Sequence, residues 1–365
     1  MRHSISATLA SLGVAISLVA AAAGPARAAA PAPAPIAPAA NEGGVLVPTP
    51  QLDLKTLIEL VTRRSVAVAT ENITALAARS EARQSHLLGN PVLDATWGTI
   101  PIGPTNPPGD PAPLANIPSY TVGLSYTILL GKRGPRQERA QALVEGANAS
   151  VETVARGNAL ELARLFGTLA ASTLKVEGLR NQVAESKDLI VLAKARLDTG
   201  FGSPLDVDRI EIELHRVEQE VIATEGEELT LLAQCTQIVR ERCAPFASSA
   251  DARRFVEVWV EHADRASGSV EQRPDVRALD AYGRAASAEA DLGHAQAIPD
   301  PQVRLGYTRD LHTAAGAQEN SLSLSVTVPL PLFDRGQAVA EGAEARQDRL
   351  RDLRSSIVGT SHLRQ

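Results

Sequence analysis

Apolar residues along this chain follow two alternating periods. From Leu52 to Leu88 there is no Gly or Pro, and Leu54, Leu57, Ile58, Val61, Val68 and Leu76 recur at helical spacing. That predicts one long helix, ended by Gly89-Asn90-Pro91. The period then shortens to two. Leu93, Ala95 and Trp97 alternate with Asp94, Thr96 and Gly98. After a Pro-rich loop from Ile100 to Ser119, Tyr120, Val122, Leu124, Tyr126 and Ile128 alternate with Thr121, Gly123, Ser125 and Thr127. The pattern predicts two antiparallel strands with one apolar and one small-polar face.

Gly131-Lys132-Arg133-Gly134-Pro135 punctuates a return to helix, and no Pro follows between Arg136 and Leu197. Leu162, Leu165, Leu169, Ser172, Val176, Leu179, Val183, Ser186, Ile190, Ala193 and Leu197 step by three and four, which is a heptad seam. Ile210, Leu214, Val217 and Val221 continue that spacing in a second helix, from Leu205 to about Arg242. The two helices would be roughly 90 and 55 Å long. Between them, Gly200 and Gly202 suit the positive φ that ends a helix, Ser203 suits the next N-cap, and Pro204 and Asp206 suit its first turn. These residues predict a tight helix-to-helix turn.

The layout then recurs. Pro274 to Ile298 is a helical, Ala-rich run closed by Pro299-Asp300-Pro301. Val303, Leu305 and Tyr307 alternate with Arg304, Gly306 and Thr308, and Leu322, Leu324, Val326 and Val328 alternate with Ser321, Ser323, Ser325 and Thr327. Pro331 to Gly336 takes the place of the Gly131–Pro135 punctuation, and a helix starts at Gln337. Helix, strand, loop, strand and helix thus occur twice, with a period of about 200 residues, as in a duplicated half-protein.

The N-terminus changes the compartment. Arg2 and His3, an uncharged apolar run from Ile5 to Gly24, and Ala26-Arg27-Ala28 make an export signal. The organisation expected is a signal peptide (1–28), a Pro/Ala-rich linker (29–50) and a helix (51–90). A strand hairpin (91–130), a helical hairpin (131–245) and an irregular connecting segment (246–273) come next. A helix (274–299), a second strand hairpin (300–330) and the start of a further helix (331–365) complete it. In an oxidising compartment Cys235 and Cys243 are either a disulfide or two free thiols.

Composition agrees with long, closely packed helices: 44% of residues are hydrophobic, only 3% aromatic, with a single Met. A net charge of −6 gives no reason to expect nucleic acid. Yet Trp97, Tyr120, Tyr126 and Tyr307 all fall on strands, on the apolar face. Strands of about 8–10 residues with such a face suit a membrane barrel better than a sandwich. Four strands cannot close one, and an open edge is not tolerated in lipid, so strands must be pooled between copies; three copies give twelve. The expected class is an α+β membrane protein. Long antiparallel periplasmic coiled-coil helices are joined to four transmembrane β-strands per chain, which contribute to a trimeric 12-stranded barrel. The lipid-facing set is Leu93, Trp97, Tyr120, Val122, Leu124, Tyr126, Ile128, Leu305, Tyr307, Leu322, Leu324 and Val326.

Catalytic motifs are missing. Gly131-Lys132-Arg133 is no phosphate loop, because Tyr126 stands where the first Gly belongs and Arg133 replaces Ser or Thr. There is no His-Glu-x-x-His or Gly-x-Ser-x-Gly, and His86, His215, His262 and His294 lie singly on helices. No enzyme activity, cofactor or metal site is expected. Glu211, Glu213, Glu218 and Glu220 form a solvated helix face or, alternatively, acids in a duct that set cation preference. Lys132 and Arg133 are expected to be interfacial anchors.

Arg196, Gly200, Ser203, Asp206 and Val207, with Pro331-Leu332-Phe333 and Gly336, resemble in spacing the two repeat signatures of the outer-membrane efflux protein family (TolC-like). The duplicated layout extends that resemblance over nearly all of the mature chain. It implies a homotrimer in the outer membrane of a Gram-negative bacterium, with helices in the periplasm. The implied function is a passive conduit of a tripartite efflux or type I secretion system, working with a periplasmic adaptor protein and an inner-membrane pump. Arg196, Gly200, Gly202, Ser203, Asp206 and Val207 would be the adaptor-docking tip. Lys132, Arg133, Pro331, Phe333 and Gly336 would be the barrel–helix junction. Gly131-Lys132-Arg133 is similar to the heavy-metal (cobalt–zinc–cadmium) members, although Leu129 and Leu130 stand where those carry an acidic residue. Family members also have a second tip turn and a final helix, so a truncated, non-functional copy is one expectation. A soluble periplasmic coiled-coil scaffold or adaptor is another.

Overall fold

In a computed structural model of the chain, residues 44–100, 102–104, 109, 112–265, 269–311 and 318–362 are described. The signal peptide, most of the Pro/Ala-rich linker and most of the loop in the second strand hairpin lie outside them. The chain divides into two units, Met1–Val45 and Leu46–Gln365. The helices and the four-stranded sheet belong to the second.

The first helical run is two helices, not one: α1 (Leu54–Arg64) and α2 (Val66–His86). Ser65 between them is extended and 5% exposed, and Asn158 Nδ2 donates to its hydroxyl at 2.7 Å. No Gly or Pro marks this break. A tertiary hydrogen bond to a buried serine holds it, and continuous helical periodicity cannot reveal that. Strands β1 (Val92–Gly98) and β2 (Ser119–Thr127) follow. Helix α3 (Arg133–Asp198) has 66 residues, roughly 100 Å. Its start tolerates Pro135, because the first-turn N–H groups have no helical partner. Helix α4 (Pro204–Val239) returns along it. The seam between them is buried as the heptad predicts: Leu162, Leu169, Val176 and Ile190 of α3 and Val207, Leu214 and Val217 of α4 are all inside.

The expected irregular connection is largely a helix, α5 (Ser249–Arg265), packed on the middle of α3. Phe255 of α5 is 1% exposed and meets Phe166 of α3 edge-on at 6.2 Å between ring centroids. Phe246 and Trp259 close over the same ring, and Trp259 Nε1 donates to the Leu52 carbonyl at 2.9 Å. Leu57 and Val61 of α1 complete this core. The Cys235–Cys243 disulfide is formed, with Cα atoms 6.1 Å apart, and both residues belong to the core. These residues form a hydrophobic centre that is continuous with the coiled-coil seam through Leu162 and Leu169.

The second repeat supplies α6 (Pro274–Ala295), β3 (Gln302–Asp310), β4 (Asn320–Thr327) and α7 (Gln337–His362). Helices pack in the lateral order α2, α3, α6, α7. Small residues allow close approach. A Cβ on Gly146 of α3 would lie 2.7 Å from the Tyr282 ring of α6, and one on Gly293 would lie 2.8 Å from the Ala340 nitrogen of α7.

Candidate functional site

The four strands form one antiparallel sheet in the order β1-β2-β3-β4. The two repeats therefore join through β2 and β3, and β1 and β4 are left as edges. The register decides which side chains share a face, because directly opposed residues point the same way. From the helical end, the rungs of one face are Tyr126, Val303 and Val326, then Leu93, Leu124, Leu305 and Leu324. Ala95, Val122, Tyr307 and Leu322 come next, and Trp97, Tyr120, Arg309 and Asn320 last. Every expected lipid-facing strand residue lies on this single face. Ile128 alone falls beyond the strand, its N–H donating to the Pro301 carbonyl.

The face is apolar and uncovered: Leu124, Leu305 and Leu324 are 51%, 55% and 72% exposed. Its aromatic residues sit toward its two ends, Tyr126 next to the helices and Tyr307, Trp97 and Tyr120 toward the loops. The outer rungs are about 20 Å apart along the strands. The opposite face is buried only on the central strands, at Gly123, Ser125 and Gly306, and is exposed at Thr96, Ser321, Ser323, Ser325 and Thr327. It is lined by hydroxyl pairs such as Thr121–Thr308 at 2.9 Å. It also carries an ion pair between Arg304 and Asp94, which sequence reading left among the polar positions. Opposite charges at polar-face positions were the available signal, but register was needed to pair them.

At the junction Lys132 is not the interfacial anchor expected of it. Its Nζ lies 2.7 Å from Asp300 Oδ1 and donates to the Ile298 carbonyl at 2.7 Å, and Asp300 also accepts the Leu130 N–H at 2.9 Å. Lys132 thus ties the end of β2 in the first repeat to the turn before β3 in the second. Arg133 is exposed and reaches the His86 carbonyl at 3.5 Å. Gly336 takes φ +78°, and a Cβ there would overlap the Gly293 carbonyl oxygen. Pro331 is half-buried, and Phe333 stands 91% exposed.

At the far end, α3 closes with a left-handed Gly200 at φ +81°. Gly200 N–H donates to the Leu197 carbonyl and Phe201 N–H to the Arg196 carbonyl, the paired bonds of a Schellman cap. A Cβ on Gly202 would lie 2.8 Å from the Leu197 nitrogen, and the Ser203 hydroxyl accepts the Leu205 N–H at 3.2 Å. Arg196, Gly200, Gly202, Ser203 and Asp206 are exposed, whereas Val207 is buried and supports the turn from within. Sequence reading overlooked Phe201, which is 82% exposed at the apex.

The four acids on α4 are paired. Lys194, Lys187 and Lys175 of α3 meet Glu211, Glu218 and Glu220 at 2.8, 3.2 and 3.1 Å, and Arg216 holds Glu213. Hydrogen bonds from Lys194 and Lys187 hold the carboxyls of Glu211 and Glu218 below their ordinary range. These are ladder rungs between helices, which disfavours the reading of free acids selecting cations. His215 and His294 each meet one glutamate, Glu218 and Glu344. The side chain of His262 lies outside the described residues. Among the described residues no three His, Cys, Asp or Glu are grouped to hold a metal ion.

This architecture is that of known outer-membrane channels. The chain superposes on the outer-membrane channel OprN with a TM-score of 0.60 at 18% identity, covering 84% of this chain and 70% of that one. For the outer membrane protein VceC of Vibrio cholerae the values are 0.61, 18%, 85% and 76%. For the CmeC outer membrane channel of Campylobacter jejuni they are 0.61, 11%, 85% and 68%. At such identities the likeness is one of fold. No protein-family model and no curated protein sequence matches the chain.

Proposed function

We propose that this chain is the outer-membrane conduit of a tripartite efflux or type I secretion system, a passive, non-enzymatic path for export. The observation that carries this reading is the uncovered apolar face of the sheet, with Leu93, Leu124, Leu305 and Leu324 exposed on all four strands. A soluble sheet buries its apolar side. Here aliphatic rungs lie between aromatic residues near either end, as in the lipid band of a transmembrane barrel. The edges β1 and β4 each need a partner, and the same edges of two further copies supply them in a trimeric twelve-stranded barrel. The Ser, Thr and Gly face then lines the water path. The α3–α4 hairpin extends into the periplasm, and its exposed turn at Arg196, Gly200, Ser203 and Asp206 meets the adaptor that links to an inner-membrane pump. Because Lys132 is engaged by Asp300, the Gly131-Lys132-Arg133 motif serves the junction and does not argue for a metal cargo.

Fractionation tests the location. A heat-modifiable trimer in outer membranes is expected, and recovery from the soluble periplasm would sink the reading in favour of a coiled-coil scaffold. Replacing Gly200 and Ser203 together with bulky residues tests the tip. Pump-dependent resistance should be lost while insertion is kept, and unchanged resistance would remove the docking role.

A further inference from the structure

The polar face of the sheet is mostly Ser, Thr and Gly, with Gln302 and Asp310 at the two ends of β3, and a charged strap crosses it between them. Arg304 stands on β3 opposite Ser125 of β2, while Asp94 stands on β1 opposite Gly123. The guanidinium crosses β2 on a diagonal to reach the carboxylate. Nε donates to Oδ1 at 3.0 Å and Nη2 donates to Oδ2. A Cβ on Gly123 would overlap the guanidinium, and a Cβ on Gly306 would lie 2.9 Å from Nη1. Glycine at both positions lets the arginine lie flat on the backbone instead of standing away from it. Planar, two-pronged pairing of this kind fixes orientation in a way that a lysine would not.

We propose that the Arg304–Asp94 pair sets the fixed charge of the conduit wall: Asp94 holds Arg304 flat and neutralised, so this level of the lumen carries no net charge. The inference rests on the conduit reading above. Twelve strands about 4.8 Å apart and tilted by about 40° enclose a backbone cylinder roughly 24 Å across. Its axis then lies near one Debye length, about 8 Å, from side chains on the wall. Charge on the wall therefore reaches a passing ion. Three unit charges, one from each copy, about 8 Å from the axis and screened over one Debye length, together change an ion's local concentration roughly 2.6-fold.

The test is the potassium-to-chloride permeability ratio of the full chain in planar bilayers under a KCl gradient. Asp94→Asn leaves Arg304 uncompensated and, acting oppositely on the two ions, should move the ratio toward chloride by about sevenfold. Arg304→Gln leaves Asp94 uncompensated and should move it toward potassium by a similar factor. The double variant should return to the wild-type ratio. Conductance with unmoved ratios in both single variants overturns this inference and leaves the conduit standing. Absence of wild-type conductance overturns the conduit and the inference with it. Should Asp94→Asn fail to insert, Arg304→Gln decides alone: a move toward potassium supports the pair, and no move overturns it.

Discussion

Asp300 bonds across the junction of the two repeats beside the β2–β3 pairing, so its removal is a sharp perturbation of that junction. In the folded chain it accepts the Leu130 N–H at 2.9 Å and faces Lys132 Nζ at 2.7 Å, with side-chain exposures of 16% for Lys132 and 20% for Asp300. Hydrogen bonds to a charged group are worth about 1.5–3 kcal/mol each, and such partly enclosed groups are screened less than surface pairs. Lys132 keeps the Ile298 carbonyl at 2.7 Å when the carboxylate is gone, which recovers part of its loss. Asp300→Ala should therefore cost about 3 kcal/mol, less than the sum of two full bonds. Asp300→Asn retains an acceptor for Leu130 and should cost about half as much. Lys132→Met should be milder than Asp300→Ala, because Asp300 still holds the Leu130 N–H. The assay is equilibrium urea unfolding of the detergent-solubilised protein, run as a double-mutant cycle. A coupling of about 1 kcal/mol or more between positions 132 and 300 is expected. Asp300→Ala within about 0.5 kcal/mol of wild type, or a cycle with no coupling, would refute the argument that this pair joins the repeats.

Three further outcomes follow from other parts of the molecule. Leu124→Arg, in the middle of the exposed face, should cost about 2–4 kcal/mol in folding into lipid vesicles, while Thr121→Arg on the opposite face should cost far less; equal costs would contradict the face assignment. Reducing Cys235–Cys243, or replacing both with Ser, should lower stability by roughly 2–3 kcal/mol for so short a loop, read as a thermal shift with and without dithiothreitol. Glu211 and Glu218 have carboxyls held below the ordinary 4.5 by lysine hydrogen bonds, so their contribution is complete above that value and is lost as pH falls through the lowered one. The urea midpoint of the α3–α4 hairpin should stay level from neutral pH down to about 5 and drop below it, and it should also weaken in high salt.

The residues of the exposed apolar face were legible because strand parity is local. Once Leu93, Val122, Leu305 and Leu322 are placed on period-two runs, their side is settled within each strand. The heptad from Leu162 to Leu197 and the turn at Gly200 and Ser203 were legible for the same reason, since helix spacing and cap chemistry depend on neighbours in the chain. The two Cys residues left two possibilities, and the chain path around Arg240 brought them together. The α5 helix was read as irregular because its apolar stripe is short and Pro245 precedes it, although Phe255 and Trp259 are four apart on one helical face.

By itself, then, the sequence determined the recurrence of helix, strand, strand and helix, the two faces of each strand and the position of the helical turn. All of these are encoded between residues a few positions apart. Only the tertiary structure decided that β2 pairs with β3, and therefore that the repeats share one sheet with two open edges. It also decided the break at Ser65, the Phe166–Phe255 core, and the bonds of Asp300 to Leu130 and of Arg304 to Asp94. The last two join residues 170 and 210 positions apart. Contacts at that range depend on register between strands, and a chain's local periodicity carries no information about register.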